Sequence, residues 1–162
     1  MKRAIPLLAS TALFSALPCF ADCLDDAAAF QHVSTELVHA IAQHESGMRA
    51  NALNVNSNGS EDIGLMQVNT SWLPTLARYG IGRQHLFDAC VNAYVGTWIL
   101  ASNIKRFGPT WKAVGAYNAA SGSKQLVYAN AIYRRLQRQG HQPCKPKISC
   151  KPIFVPACAQ MR

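Results

Sequence analysis

The stretch STELVHAIAQHESG, residues 34–47, reads as one short helix with a carboxylic acid at its end. Ser34 is an N-cap residue type, whose hydroxyl accepts from the free backbone N–H groups of a first turn. Val33 and Val38 flank the cap as a hydrophobic staple, and Glu36 lies in the first turn, where the helix dipole favours an acid. Leu37, Ile41 and Glu45 then recur at every fourth position, and Gly47 can stop the helix. Glu45 therefore continues the apolar face of its own helix and stands at its C-terminal end. Burial disfavours a charged carboxylate and so does the negative end of the dipole, so this acid is expected to keep its proton to higher pH than a surface glutamate. A carboxylic acid that stays protonated near neutrality is what protonation of a glycosidic oxygen requires. On this stretch alone the plainer alternative stands beside it: a surface glutamate on a last turn, paired with Arg49.

Outward from this helix the apolar spacing is mostly helical. Upstream, Leu24 to Phe30 forms a short Ala-rich helix. Downstream, between Asn51 and Asp62, the helical period gives way to Asn, Ser and Gly, and Asn58-Gly59 is a strong tight-turn signal, so a small hairpin or ordered loop is expected. Helix returns from Thr70 to Arg78 and again from Asp88 to Phe107, where Val91, Tyr94, Val95, Trp98 and Ile99 make an apolar stripe ended by Gly108-Pro109. Trp111 to Ala119 and Ser123 to Gln139 supply two more. The expected class is mainly α, an α+β arrangement with one small hairpin region.

The ends bear on compartment. Lys2 and Arg3 precede an apolar run from Ile5 to Leu17 that is short for a membrane span, and Ala21 offers a small residue at a cut before Asp22. We therefore expect residues 1–21 to be a signal peptide, 22–140 a single domain and 141–162 a Pro-, Lys- and Cys-rich tail, with no integral membrane segment after cleavage and a periplasmic location. An uncleaved anchor is the alternative; lipid attachment at Cys19 is disfavoured by Pro18 and Ala16. Five cysteines follow the cut, none in the close pairing of a zinc or redox site, and an oxidising compartment favours bridging them. Cys23 and Cys90, each at the start of a predicted helix, are the expected pair; Cys144, Cys150 and Cys158 cannot all pair among themselves.

Charge is unevenly spread. From Asp22 to Ala77 Arg49 faces seven acids, whereas from Arg78 onward Asp88 is the only acid among thirteen Lys and Arg. Such a basic half concentrates anionic polymers, and the carboxylates of peptidoglycan stem peptides are the anions met in a periplasm. Export and the lack of a recognition motif argue against nucleic acid. His39, His44 and His85 complete no ligand set with a carboxylate on one helix face, so no metal and no cofactor are expected.

Three segments, HESG at 44–47, NSNGSEDIGLMQVNTSW at 56–72 and VGAYNAA at 114–120, in this order and spacing resemble the lytic transglycosylase family of lysozyme-like enzymes. The closest likeness is to small specialised members associated with secretion systems, conjugation machinery and pili. The resemblance covers nearly all of Cys23 to Tyr133 and includes both expected disulfide positions. It implies a lysozyme-like domain with a groove for alternating N-acetylglucosamine and N-acetylmuramic acid. By the same resemblance Glu45 is the catalytic acid and base, and Ser46 helps orient it. Gly64, Met66, Gln67 and Asn69 would line the groove, Met66 by apolar contact and the two amides by hydrogen bonds to sugar. Tyr117 would lie near Glu45 and bond its carboxyl or the sugar, and Asn118 would support the turn. Ordinary core packing is the alternative for Met66 and Tyr117, a helix-end cap for Asn118. Ala120 departs from the Gly usual there.

Asp62 poses a separate question, because the stretch from Glu45 through NSNGSEDIGLMQVN also resembles c-type lysozyme, and Asp62 falls on its second carboxylate. The alternative is a turn aspartate that accepts from local donors. Two courses follow for the same acid: a transglycosylase course that forms a 1,6-anhydro sugar, and a hydrolase course in which Asp62 assists and Glu45 activates water. Non-catalytic binding to peptidoglycan at a secretion, conjugation or pilus apparatus, and a lysozyme-like toxin or chitin-acting protein, are the rival classes.

Overall fold

The computed structural model describes residues 20–139. The apolar run Ile5–Leu17, Cys19 and the tail with Cys144, Cys150 and Cys158 lie outside the described residues. Helix α1, Phe20–Gln31, is longer than the expected Leu24–Phe30 and begins two residues before the expected cut. It lays Leu24, Ala27 and Ala28 into the core. Helix α2, Thr35–Glu45, starts as the cap predicts: Ser34 Oγ accepts from the Leu37 N–H at 3.2 Å. Its Val38, Ala40, Ile41 and Ala42 are buried, with Val33 packed against the same cluster. At the other end Gly47 and Met48 both take positive φ, 63° and 68°, and turn the chain away. Arg49 Nε donates to the Ser46 carbonyl at 2.8 Å, so this guanidinium closes the end of α2 and is not the partner of Glu45.

Three short antiparallel strands follow, β1 (Leu53–Val55), β2 (Glu61–Ile63) and β3 (Val68–Asn69), in that spatial order. The expected hairpin is there, joined by the turn around Gly59, and β3 adds a third strand that alternation over so few residues does not announce. Its register sets Asn54 opposite Asp62 and Asp62 opposite Asn69. Directly opposed residues point to one face of a sheet, so this pairing gathers two amides around one carboxylate.

The helix expected over Thr70–Arg78 is instead broken into a 3-10 turn at Thr70–Trp72, a four-residue α3 at Leu73–Leu76 and a second 3-10 turn at Ala77–Tyr79. Pro74 supports a helix start and cannot donate within one, and Gly80 at φ 71° closes the segment, so the chain has room for one turn only. A further 3-10 segment at Arg83–Phe87 leads into the long helix α4, Ala89–Phe107. Asp88 stands outside α4 as its cap and accepts from the N–H groups of Cys90 and Val91, each at 2.9 Å.

Helix α4 separates two apolar clusters. Ala93 and Leu100 pack with α1, α2 and α6, whereas Val95 and Ile99 pack with Ile63, Val68, Leu76 and Leu86 beneath the sheet. From the predicted stripe, Val95 and Ile99 are buried and Val91, Tyr94 and Trp98 half-buried. Helices α5 (Trp111–Asn118) and α6 (Gly122–Gln139) complete the domain, α6 packing against both α5 and α2. A disulfide joins Cys23 to Cys90 with Cα atoms 4.9 Å apart, and so ties α1 to the start of α4. It closes a loop of sequence separation 67, which in the chain-entropy account is worth about 4 kcal/mol. Among the described residues no helix is long and apolar enough to cross a membrane.

Candidate active site

Glu45 ends α2, and the groove is built around it. Its carboxyl accepts a hydrogen bond from Tyr128 Oη, 83 residues away on α6. Burial pushes the Glu45 pKa up to about 7; the Tyr128 hydrogen bond pulls the other way and the nearby negative charge of Asp62 adds to the rise. Tyr128 is itself buried, and its pKa is raised well above the ordinary tyrosine value by burial and by Glu45, so the hydroxyl stays a donor. Its ring is fixed on two sides, stacked on Tyr117 at 6.4 Å and edge-on to His44 at 5.3 Å. His44 accepts from Arg135 Nε at 3.2 Å, and burial, then the Arg135 charge, lowers its pKa, so the neutral ring is favoured. The acid is thus held by a tyrosine, and that tyrosine by an aromatic layer.

Tyr117 was expected to bond Glu45 or sugar; instead its hydroxyl donates to the Met66 carbonyl at 2.8 Å. It does lie close enough for the Glu45 charge to help raise its pKa, after burial. Tyr117 therefore ties α5 to the 64–67 turn and lends Glu45 support through the Tyr128 ring. Ser46 is buried, and its hydroxyl donates to the Leu65 carbonyl at 2.7 Å, which pins the end of α2 to that same turn.

The Gly64–Gln67 turn itself is mostly support. Met66 is 0% exposed and lies in the core, so an apolar contact from Met66 to sugar is not formed. A Cβ on Gly96 of α4 would sit 2.6 Å from the Met66 Cβ, so the helix admits the turn only because that side chain is absent. Gly64 likewise does not face the groove: at φ +80°, a Cβ there would lie 2.3 Å from Asn92 Nδ2. Asn92, fully buried on α4, brackets the turn by accepting from the Met66 N–H at 2.7 Å and donating to the carbonyls of Ile63 and Leu86 at 2.8 and 2.7 Å. Gln67, at φ 50°, is the member of the turn that lines the groove. Its Nε2 donates to the Gly64 carbonyl at 3.0 Å, which leaves its Oε1 as the end to offer a ligand.

Asp62 opens onto the same groove as Glu45. Its Oδ1 accepts from Asn69 Nδ2 at 2.6 Å, and its Oδ2 from Asn56 and Asn54 Nδ2 at 2.9 and 3.3 Å. Both expected readings meet here, since the carboxylate takes local donors as a turn aspartate does, yet also lines the cavity. Asn69 lines the groove, and its side chain donates to Asp62 and Ser60 and accepts from the Ser71 N–H, so it also fixes Asp62. Asn118 is exposed at the end of α5 and lines the groove. After it, the Ala119 and Ala120 carbonyls accept from Gln125 Nε2 at 2.9 and 3.1 Å, which holds the loop without a Gly at 120.

The groove encloses about 1120 Å³. Asn56, Ser57 and Asn58 line its sheet side; Ile99, Phe107 and Gln125 line its helical side. His39 and His85 lie elsewhere: His39 pairs with Asp25 at 2.7 Å, and His85 accepts from the Gly82 N–H at 2.9 Å. Tyr128 and Asn92 are the two residues that sequence reasoning missed. A tyrosine at core spacing still needs a partner for its hydroxyl, and an asparagine beside an apolar stripe needs three; those unmet needs were the available signals. Replacing Tyr128 by Phe removes the bond that lowers the Glu45 pKa, so the alkaline limb of activity is expected to move to higher pH, with a loss of up to about a hundredfold in kcat from misplacement of the acid. A pH–rate profile of the purified variant checks both.

Residues 22–135 match the family model described as the transglycosylase SLT domain. The chain is 37% identical over 145 residues to invasion protein IagB of Salmonella typhi, covering 85% of this chain and 91% of the relative. It is 41% identical over 120 residues to the X polypeptide of Escherichia coli, covering 70% of this chain and 71% of that protein. To protein IpgF of Shigella flexneri it is 38% identical over 123 residues, covering 73% and 81%. The matched span holds α2, the sheet, the 64–67 turn and the tyrosine on α6, and this protein is a member of the transglycosylase SLT family, a lytic transglycosylase.

Proposed function

We propose that this protein cleaves the β-1,4 bond between N-acetylmuramic acid and N-acetylglucosamine in peptidoglycan and leaves 1,6-anhydro ends. The observation that carries this is a groove-lining acid whose pKa stands near 7 and whose carboxyl is gripped by Tyr128. Protonated Glu45 gives its proton to the bridging oxygen as the bond from that oxygen to the muramic C1 breaks. The N-acetyl oxygen of the muramic ring takes the electron-poor C1. The Glu45 carboxylate then removes the proton of that ring's 6-hydroxyl, whose oxygen closes on C1 as the bond from the N-acetyl oxygen to C1 breaks and the acetamido group is restored, and Glu45 is again protonated with no water consumed. Gln67 and Asn118 are the sugar-binding amides in this reading. Mass spectrometry of digested sacculi tests it: anhydro muropeptides are expected, whereas products heavier by one water assign the chain to hydrolysis.

That second reading has its own support, because Asp62 shares the groove with Glu45 and is oriented by three amides. A fixed carboxylate can stabilise the positive charge or trap the intermediate, with Glu45 activating water. Under the first reading Asp62 stabilises charge only, and its pull on Glu45 helps keep the acid protonated.

The location proposed is the periplasm, supported by the Cys23–Cys90 bridge and the signal-like first residues. The biological role proposed is to open the wall locally for a secretion, conjugation or pilus apparatus. A relative whose name is invasion protein supports that role.

A further inference from the structure

We infer that Arg135 is a positioning residue for the acid: by donating to His44 it fixes that ring against Tyr128 and, through Tyr128, the direction in which the Glu45 carboxyl points. This rests on the glycan-cleaving reading above, in which Glu45 gives and takes back the proton. Tyr128 and Arg135 stand two turns apart on one face of α6. His44 and Glu45 are consecutive at the end of α2. One helix thus donates twice to neighbouring residues of the other: Tyr128 Oη to Glu45, and Arg135 Nε to His44 Nδ1 at 3.2 Å. Neither Arg135 nor His44 lines the groove, so both act behind the acid and not on the sugar.

The tyrosine between them depends on its two neighbouring rings for its orientation. Tyr117, stacked at 6.4 Å, is anchored by its own bond to the Met66 carbonyl. His44, edge-on at 5.3 Å and 82°, is anchored by Arg135. A guanidinium carries N–H donors and no acceptor, so this bond requires a lone pair on Nδ1 and leaves the proton of the neutral ring on Nε2. A protonated His44 has no lone pair to offer and would set a second positive charge against Arg135. The bond and a charged ring therefore exclude each other, and burial, then the Arg135 charge, holds the ring neutral. Around His44, Tyr128 and Arg135 come from α6, Glu45 follows it in the chain, and Asp25 of α1 pairs with His39. Without Arg135 the imidazole is free to turn and to take up a proton, and the Tyr128 hydroxyl loses one wall of its seat. A small displacement of the acid that follows costs rate and leaves binding alone.

The test compares the purified full chain with R135M, which keeps the length but has no donor, and R135K, whose amine can reach Nδ1. On soluble peptidoglycan strands at pH 7, R135M is expected to lose about tenfold in kcat with KM within about twofold of the parent, and R135K to restore most of the loss. Nitrogen-15 NMR of histidine-labelled protein should show the parent His44 protonated on Nε2 and uncharged at pH 6.5, whereas in R135M the ring takes up its second proton close to the ordinary 6.5. A parent ring protonated on Nδ1, a parental kcat in R135M, or a loss that R135K does not relieve overturns the inference. A parent that cleaves no strand overturns the glycan-cleaving reading, and the Arg135–His44 pair then stands or falls on the NMR readings alone.

Discussion

Replacing Glu45 by Gln is expected to reduce release of soluble fragments from sacculi by at least about a thousandfold, since one side chain supplies both the acid and the base of the reaction. The amide keeps the size of the carboxyl and an oxygen for the Tyr128 hydroxyl, so the fold should survive. Stability should even rise, with a definite pH dependence. The folded-state pKa of Glu45 is raised to about 7 from an ordinary 4.5, so its contribution to stability is fully present below the lower value and is lost as pH climbs through the upper one. Gln has no such loss. Above pH 7 the variant is therefore expected to be more stable than the parent, on the order of 3 kcal/mol, with the gap closing as pH falls toward 4.5. Denaturant melts at several pH values, run alongside the sacculus assay, check the pair. A Gln variant that clears sacculi at the parent's rate contradicts the catalytic assignment.

The second large effect falls on stability. Asn92→Leu keeps the branching and number of side-chain heavy atoms and so opens no cavity, but it leaves the Met66 N–H and the carbonyls of Ile63 and Leu86 without their buried partner. Each orphaned group costs about 1–3 kcal/mol, so a loss of about 4 kcal/mol is expected, or about 15 °C in melting temperature for a domain of this size. The variant should also lose activity at temperatures where it is still folded, because the same bracket holds the turn that receives Ser46 and Tyr117. A melting temperature within two degrees or so of the parent's would show that the turn stands without its bracket.

These two residues mark how far sequence reasoning reached. Glu45 was legible because it obeys a local rule: the cap at Ser34, the four-residue spacing and the stop at Gly47 are read from one stretch, and they place an acid on an apolar face at a helix end. The mostly helical class, the hairpin around Asn58-Gly59 and the Cys23–Cys90 pair followed from equally local signals. Asn92 and Tyr128 depend on what lies across the fold, where periodicity is silent. A tyrosine on the buried face of α6 reads as core whether or not a carboxyl waits at the end of α2. For the same reason Met66 and Gly64 were assigned to the groove from their motif, although burial turns one into core and close approach of Asn92 makes the other a packing glycine. Thr70–Arg78 was misread because apolar spacing outweighed Pro74 and Gly80, which between them leave a single helical turn.

The central claim is that Glu45 carries a proton near neutral pH. Carbon-13 NMR of selectively labelled protein measures this directly, with the Glu45 side-chain carboxyl assigned by its disappearance in the Gln variant. A titration midpoint near 7 is predicted, against about 4.5 for an ordinary glutamate. A midpoint at the ordinary value would mean that the carboxyl is ionised and open to water, and that this chain holds no acid able to protonate a glycosidic bond.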